Sequence, residues 1–148
     1  MQPAQYLGRV GVWTMALEPQ PAAAVRDVAA ELEDLGYYMT YFEARTTLDL
    51  DGWELMYNLP AGNGVQGRVA LVYPLGNNGR VRVMLAFVSP DLNHDRRDTD
   101  AQKKLLARVF AGAGWEVPNL IEQMWTAEDL YFERVGAVHV PEWYRGRT

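Results

Sequence analysis

The sequence predicts an α+β domain, in which an antiparallel meander sheet carries helices on one face and follows a short β-α-β unit. Three observations indicate this class. Short β-branched and aromatic runs alternate with Gly- and Asn-rich turns, two later segments have amphipathic helical spacing, and an apolar share of 49% is enough to build a core. We therefore expect a single domain-sized unit over residues 1–148.

The β-α-β unit is predicted for the N-terminal residues, up to Phe42. Residues 9–14 are typical of a buried strand, and residues 37–42 of a second one. Between them, Pro21 suits a first helical turn and Gly36 suits the left-handed residue just after a helix end. The apolar residues of this predicted helix recur at helical spacing and are Val25, Val28, Ala29, Leu32 and Leu35.

After Asp51 the pattern changes to strands joined by tight turns. Residues 53–58, 68–73 and 80–89 predict three strands that pair as an antiparallel meander. Turns are expected at residues 60–67 and 76–79, because Gly and Asn tolerate the positive φ that hairpins need.

Two helices and a last strand complete the prediction. Residues 99–111 are typical of an amphipathic helix, in which Thr99 and Gln102 have capping-box spacing. A shorter helix is expected to begin at Pro118, and residues 130–140 return to strand. The apolar positions of the two helices are Leu105, Leu106, Val109, Phe110, Leu120, Ile121 and Met124.

Composition argues against several classes of function. The chain has no cysteine, which excludes disulfides, thiolate nucleophiles and most structural zinc sites. A formal charge of −5 argues against nucleic-acid binding, which needs a basic face. No apolar run approaches the roughly 20 residues that span a bilayer. We expect a cytoplasmic protein with no metal, nucleic-acid or membrane partner.

Gly62–Gly67 matches the spacing G-x-G-x-x-G, which binds dinucleotides when it joins a strand to a helix. Residues 68–73 are strand-like, however, so the helical amides that would hold a phosphate are not expected there. The segment is interpreted as a hairpin loop. The Asp51-Gly52 pair also precedes a predicted strand and is not interpreted as a flavin-binding element.

Few residues suggest catalysis. His94 and His139 are the only histidines and lack the spacing of a metal site. Ser89 is the only serine and lies outside a nucleophile elbow. The carboxylates Asp49 and Asp51 are interpreted as ordinary turn residues. The sequence therefore nominates no catalytic residue.

Aromatic residues on the predicted strands suggest a binding surface. Tyr57, Tyr73 and Phe87 occupy alternate positions that would line one sheet face. A sheet with apolar residues on both faces must be covered on both. We expect these three residues to face a substrate or flavin, and plain core packing is the competing interpretation.

Several segments of the last 60 residues of the chain match, in order and spacing, those of one enzyme family. They are Ser89–Leu92, Asp95–Asp98, Gly114–Pro118, Tyr131–Phe132 and Trp143–Thr148. Residues 35–148 thereby resemble the substrate-binding middle region of FAD-dependent aromatic-hydroxylase-like monooxygenases, the class A flavin monooxygenases.

The resemblance implies an oxidoreductase in which NAD(P)H reduces FAD and the flavin then uses oxygen to hydroxylate a small organic substrate, aromatic or polyketide-like, over the sheet. In that family a Trp-x-x-Gly-Arg segment, here ending in Gly146 and Arg147, leads to a Gly-Asp pair that holds the flavin. The sequence ends at Thr148, before such a pair. We therefore expect weak or absent FAD binding, no independent activity, and self-association through an uncovered sheet face.

A second resemblance lies in residues 6–44. Leu7–Thr14, Gln20–Ala23 and Ala29–Tyr37 are similar to the start of luciferase-like flavin or deazaflavin oxidoreductases, which are TIM barrels. The two resemblances meet at residues 35–45 and predict a seam there, in a composite or truncated reading frame.

The charge distribution fits this prediction. Residues 1–66 hold three basic and nine acidic side chains, whereas residues 67–148 hold eleven and ten. Two alternatives stay open: a truncated luciferase-like oxidoreductase, or a small non-enzymatic α+β protein that binds a ligand or dimerises.

Overall fold

A computed structural model describes residues 7–10, 31–76, 78–92 and 95–139, with backbone alone for residues 7–10 and 31–32. The described residues form an antiparallel sheet with two helices, so the predicted α+β class is confirmed. In chain order, the elements are β1 Leu7–Val10, β2 Glu31–Arg45, β3 Glu54–Asn58, β4 Gln66–Pro74, β5 Arg80–Val88, α1 Thr99–Val109, α2 Val117–Met124 and β6 Tyr131–His139.

The strands form one sheet with the order β1-β3-β4-β5-β2-β6, and every neighbouring pair is antiparallel. Strands β3, β4 and β5 follow one another through hairpins. Strand β2 does not continue this sequential order, because it lies beyond β5 and pairs there with both β5 and β6. The sheet as a whole is therefore not the simple meander that the sequence predicts.

The prediction of a helix that ends at Gly36 is wrong for its last turn. Residues 31–35 belong to β2, which pairs there with β6, from Glu31 opposite His139 to Asp34 opposite Gly136. Pairing with a distant strand outweighs local helical spacing, which is a weak prior on its own. The rest of that helix and most of the predicted first strand lie outside the described residues.

Gly36 does adopt a left-handed conformation, but it serves a bulge in β2. Its φ is 71°, and the register with β6 shifts between Asp34 and Tyr37. A glycine at positive φ is the residue that such a bulge favours. Asp34 fixes the bend by accepting hydrogen bonds from Arg134 and from the Gly36 N–H at 2.9 Å. The hydrogen bond from Arg134 lowers the pKa of Asp34 most, and the one from the Gly36 N–H lowers it further, so this pKa lies below its usual range.

One face of the sheet packs against both helices and forms the core. Tyr38 stacks on both Phe87 and Phe132, with ring centroids 5.9 and 5.6 Å apart. The Tyr38 hydroxyl reaches the core edge, where it accepts a hydrogen bond from the Leu92 N–H at 2.8 Å. The helices contribute five apolar side chains that are at most 4% exposed, namely Leu106, Val109, Val117, Leu120 and Met124.

Two buried cations close the C-terminal ends of the helices. Lys103 is 7% exposed, and its Nζ donates to the carbonyls of Trp125 and Ala127 at 3.0 and 2.8 Å, just after α2. Arg68 donates to the Val109 carbonyl at the end of α1 at 2.8 Å. The last carbonyls of a helix have no partner within it and carry partial negative charge, so a cation satisfies them well.

Replacing Lys103 tests this contribution. Lys103→Met keeps the apolar stem and removes both hydrogen bonds, so we expect the free energy of unfolding to fall by about 1–3 kcal/mol. Urea denaturation followed by circular dichroism measures the change. Lys104→Met, at the exposed neighbouring position, is the matched control and should change stability by no more than about 0.5 kcal/mol. Equal effects of the two substitutions would contradict a capping role for Lys103.

Candidate functional site

The face of the sheet opposite the core carries exposed and half-buried tyrosines. We call it the tyrosine face, defined by Tyr37, Tyr41, Tyr73 and Tyr131. Successive residues of a strand point to opposite faces, so Tyr37, Met39 and Tyr41 of β2 lie here, whereas Tyr38, Thr40 and Phe42 are buried in the core. Tyr37 and Tyr131 are 44% and 56% exposed. Among the described residues, the tyrosine face is therefore the more exposed side of the sheet.

A continuous row of apolar and aromatic side chains crosses the tyrosine face. The strand register places Met84 opposite Leu71 on one side and opposite Tyr41 on the other. Leu71 lies in turn opposite Met56, and Tyr41 opposite Tyr131. Directly opposed residues on one face are close enough for their side chains to touch. The row therefore spans five strands and combines flexible thioethers with flat rings that end in hydroxyls.

Tyr41 occupies the centre of the tyrosine cluster. Burial raises the pKa of its phenol above the ordinary value of 10.0, and the neighbouring phenols Tyr73 and Tyr131 raise it further. At neutral pH Tyr41 is therefore a neutral hydroxyl, which both donates and accepts hydrogen bonds. Such a group can orient a polar substituent of a ligand whose rings lie on the apolar row.

An ion-pair network borders the tyrosine cluster. Glu43 pairs with Arg80 and, at 3.2 Å, with Arg82, and Arg82 reaches Asp129 at 2.6 Å. Arg82 lies opposite Tyr73 in the sheet register. The hydrogen bond from Arg80 to Glu43 raises the pKa of the guanidinium. The network fixes charged side chains beside the apolar row and leaves the row itself uncharged.

The structure separates the three aromatic residues that the sequence places together. Tyr57 and Phe87 are only 2% and 1% exposed and belong to the core. Tyr57 lies opposite Ala70, and Phe87 packs against both Tyr38 and Phe132. Tyr73 is on the opposite face. The expectation that the three share one ligand-facing surface is therefore wrong in geometry, because Tyr57 and Phe87 are in phase with the helix-covered positions.

The remaining predicted binding residues, Gly146 and Arg147, lie outside the described residues, as does His94. His139 is exposed on β6, with its Nε2 2.7 Å from Glu33. Within the described ranges, no group of His, Asp and Glu residues is arranged to hold a metal ion. No helix in the same part of the chain is long and apolar enough to cross a membrane.

Gly62–Val65 is a hairpin turn, as the sequence predicts for this segment, and Gln66 and Gly67 already belong to β4. Gly62 and Val65 exchange backbone hydrogen bonds of 3.1 and 2.9 Å around Asn63 and Gly64, both at positive φ. The Asn63 side chain donates to the carbonyl of Ala111 at 2.7 Å, close to the end of α1. The loop leads into β4 rather than into a helix. It therefore lacks the helical N-terminus that would hold the pyrophosphate of FAD.

The Asp51-Gly52 pair is likewise a turn. The Trp53 N–H donates to the Leu50 carbonyl at 2.7 Å, and both central residues have positive φ. Neither glycine-containing loop fits a flavin phosphate.

Sequence comparison finds several relatives of this chain. No family model matches the chain. An uncharacterised protein of Mycobacterium tuberculosis is 34% identical over 114 residues, 77% of this chain and 29% of that protein. A flavin-dependent monooxygenase of Legionella longbeachae is 29% identical over 117 residues, 79% of this chain and 28% of that protein. Another, eupH of Phoma sp., is 30% identical over 123 residues, 78% of this chain and 27% of that protein.

Structural comparison finds the same fold in two tetracycline destructases. Tet(51) superposes with a TM-score of 0.59 at 22% identity, and Tet(55) with 0.60 at 24%; each match covers 80% of this chain and 30% of the other. The chain thus spans less than a third of the length of the curated relatives it matches. Together the comparisons support a flavin-monooxygenase-like family, in agreement with the resemblance noted in the sequence.

Sequence reasoning missed Tyr41, Met84 and Tyr131. The signal was present in β2, where Tyr37, Met39 and Tyr41 alternate with Tyr38, Thr40 and Phe42. Both sets are largely apolar, so alternation alone does not say which one faces the core. The pairing of β2 with β5 and β6 determines which set faces the core. That pairing joins segments far apart in the sequence, so local patterns do not reveal it.

The pKa of Tyr41 predicts how stability depends on pH. Because the phenol ionises less readily in the folded chain, the unfolded chain loses this proton first as pH rises. The contribution to stability is therefore complete below pH 10.0 and is lost as pH rises through the raised pKa. Tyr41→Phe should reduce this alkaline loss, measured by urea denaturation on both sides of pH 10.0. Met39→Leu, which removes no ionisable group, should retain it, and the same loss in both variants would contradict the assignment.

Proposed function

We propose that this chain is the substrate-binding region of an FAD-dependent monooxygenase that uses NAD(P)H as reductant. The observation that carries the proposal is the similarity, over 78–79% of the chain, to proteins named flavin-dependent monooxygenases. The fold adds a physical reason. Among the described residues, two helices cover one face of the sheet, and the tyrosine face is the more exposed one, which favours it as the substrate side.

The tyrosine face suits a small, flat organic substrate. Its central row offers the thioethers of Met56 and Met84, which adapt to irregular apolar surfaces, and the rings of Tyr41 and Tyr131, which stack. The hydroxyls of Tyr41 and Tyr73 would orient a phenol, ketone or amide group of the substrate. An aromatic or polyketide-like molecule has this combination of extended rings and polar edges. The assignment of Tyr73 as a ligand-facing residue is retained here, and Tyr41 and Tyr131 join it.

The chain supplies binding and orientation rather than reactive groups. The described residues offer no pyrophosphate site, so we expect FAD to bind weakly or not at all to this chain. A monooxygenase depends on its cofactor for the oxygen chemistry, and the protein contributes position and electrostatics. We therefore assign no catalytic residue and expect no hydroxylation by this chain alone. A cytoplasmic location and self-association stay predictions.

The proposal is tested with 1-naphthol as a flat phenolic probe, titrated into the purified chain by calorimetry. We expect saturable binding that Met84→Lys weakens by about tenfold or more, because the substitution puts a charge in the middle of the apolar row. Glu122→Ala, on the exposed surface of α2, is the control and should bind like the wild type. If Met84→Lys binds 1-naphthol as tightly as the wild type, the tyrosine face is not the substrate site.

A parallel titration uses FAD, followed by flavin fluorescence and by the thermal midpoint. We expect no saturable binding and no change in midpoint. A midpoint raised by FAD would show that the chain itself holds the cofactor, since a ligand that binds only the folded state stabilises it.

A further inference from the structure

The chain contains two Asn-Gly pairs, Asn63-Gly64 and Asn78-Gly79, and each lies in a turn between neighbouring strands. Asparagine followed by glycine is prone to lose its side-chain amide, because glycine has no side chain to shield its own backbone nitrogen. That nitrogen attacks the asparagine Cγ, ammonia leaves, and a cyclic imide forms, which water then opens to aspartate or isoaspartate. The local sequence makes the two pairs equally reactive, whereas the fold holds them differently.

The amide of Asn63 is held by the end of helix α1. Its nitrogen donates to the carbonyls of Ala111, Val109 and Arg108 at 2.7, 3.3 and 3.4 Å. Loss of ammonia would break these bonds. The carboxylate that forms would then face carbonyls at the helix end, which carry partial negative charge. The fold therefore protects Asn63 and makes its conversion unfavourable.

The amide of Asn78 has the opposite arrangement. Its oxygen accepts a hydrogen bond from the Arg80 N–H at 3.1 Å, whereas its nitrogen donates to no group of the described residues. The attacking group, the Gly79 N–H, makes no hydrogen bond within the same ranges. A donor on the amide oxygen stabilises the negative charge that develops there during the attack. Asn78 is also exposed, so water reaches it.

The surroundings of Asn78 accommodate a negative charge. Nη1 of Arg45 donates to the backbone carbonyl of Asn78 at 3.4 Å. Over the described residues, Arg45 has no acidic partner within ion-pair distance. A carboxylate at position 78 lies beside this guanidinium, although an ion pair at an exposed position contributes little to stability. Conversion of Asn78 is therefore tolerated where conversion of Asn63 is not.

We propose that Asn78 is a site of spontaneous deamidation in the folded protein and that Asn63 is protected from it. The bond from Cγ of Asn78 to its amide nitrogen breaks as the bond from Cγ to the Gly79 nitrogen forms, and ammonia leaves. Water then cleaves one of the two carbon–nitrogen bonds of the imide. The balance is one water consumed and one ammonia released, with no oxidant or reductant. The product adds one negative charge to the turn between β4 and β5.

The test incubates the full chain in mildly alkaline buffer, folded or unfolded in urea, and follows both pairs by peptide mass spectrometry. Fragmentation of the peptides assigns the conversion from amide to acid to a single residue. In the folded chain we expect Asn78 to convert at least about tenfold faster than Asn63, because hydrogen bonds hold only the amide nitrogen of Asn63. In urea the two residues should convert at similar rates. Asn78→Gln closes the ring far less readily and should abolish the conversion at position 78.

Two further variants measure the consequence of each conversion. Asn63→Asp should lower the thermal midpoint by about 2–4 °C or more, because its carboxylate faces the end of α1. Asn78→Asp should leave the midpoint close to that of the wild type. Equal rates in the folded chain, faster conversion of Asn63, or an intact Asn78 after the unfolded chain has converted would overturn the proposal. An equal fall in midpoint for the two Asp variants would contradict the difference between the two turns.

Discussion

The fold depends on strand β2 and on its place between β5 and β6. Residues 37–45 of β2 pair with β5, and residues 31–41 pair with β6 across a bulge. This strand connects β6 to the hairpins of β3, β4 and β5, and its side chains supply both surfaces of the sheet. Tyr38 and Phe42 anchor the core, whereas Tyr41 is the centre of the tyrosine face. Loss of β2 would remove the packing surface of the helices and the candidate substrate site together.

Local sequence signals predicted the elements after residue 53 closely. The hairpin strands, the start of α1 at Thr99 and the turn within Gly62–Gly67 depend on turn residues and short-range periodicity, and each lies close to its predicted place. The capping box predicted at Thr99 and Gln102 is wrong, because Asp98 caps α1 by accepting a hydrogen bond from the Ala101 N–H at 2.9 Å. The Gln102 side chain donates instead to the carbonyls of Asp95 and Arg96. These local signals do not predict which distant strands pair. Pairing between distant strands makes residues 31–35 a strand rather than the end of a helix, and it places Tyr57 and Phe87 on the buried face.

Buried polar side chains were also outside the reach of sequence reasoning. Arg68 and Lys103 appear in the sequence as ordinary charges, one in a strand and one on an amphipathic helix. Only the folded chain shows that each one satisfies carbonyls contributed by another element. The alternative of a luciferase-like barrel receives no support from the described residues, which form an open antiparallel sheet. The seam predicted at residues 35–45 stays a prediction, although β2 runs through these residues as one strand.

The alternation of β2 has a consequence for how such a protein can diversify. Its even-numbered residues from Tyr38 to Ala44 are all buried, so changes there alter stability. Its odd-numbered residues, such as Met39 and Tyr41, touch the opposite surface and leave the core packing unchanged when they vary. One short stretch of chain thus encodes structural integrity and ligand preference in separate positions. Relatives of this protein can then change which ligand they bind by point substitutions at the odd-numbered residues. Such substitutions leave the core packing intact, so they do not require a prior gain in folding stability.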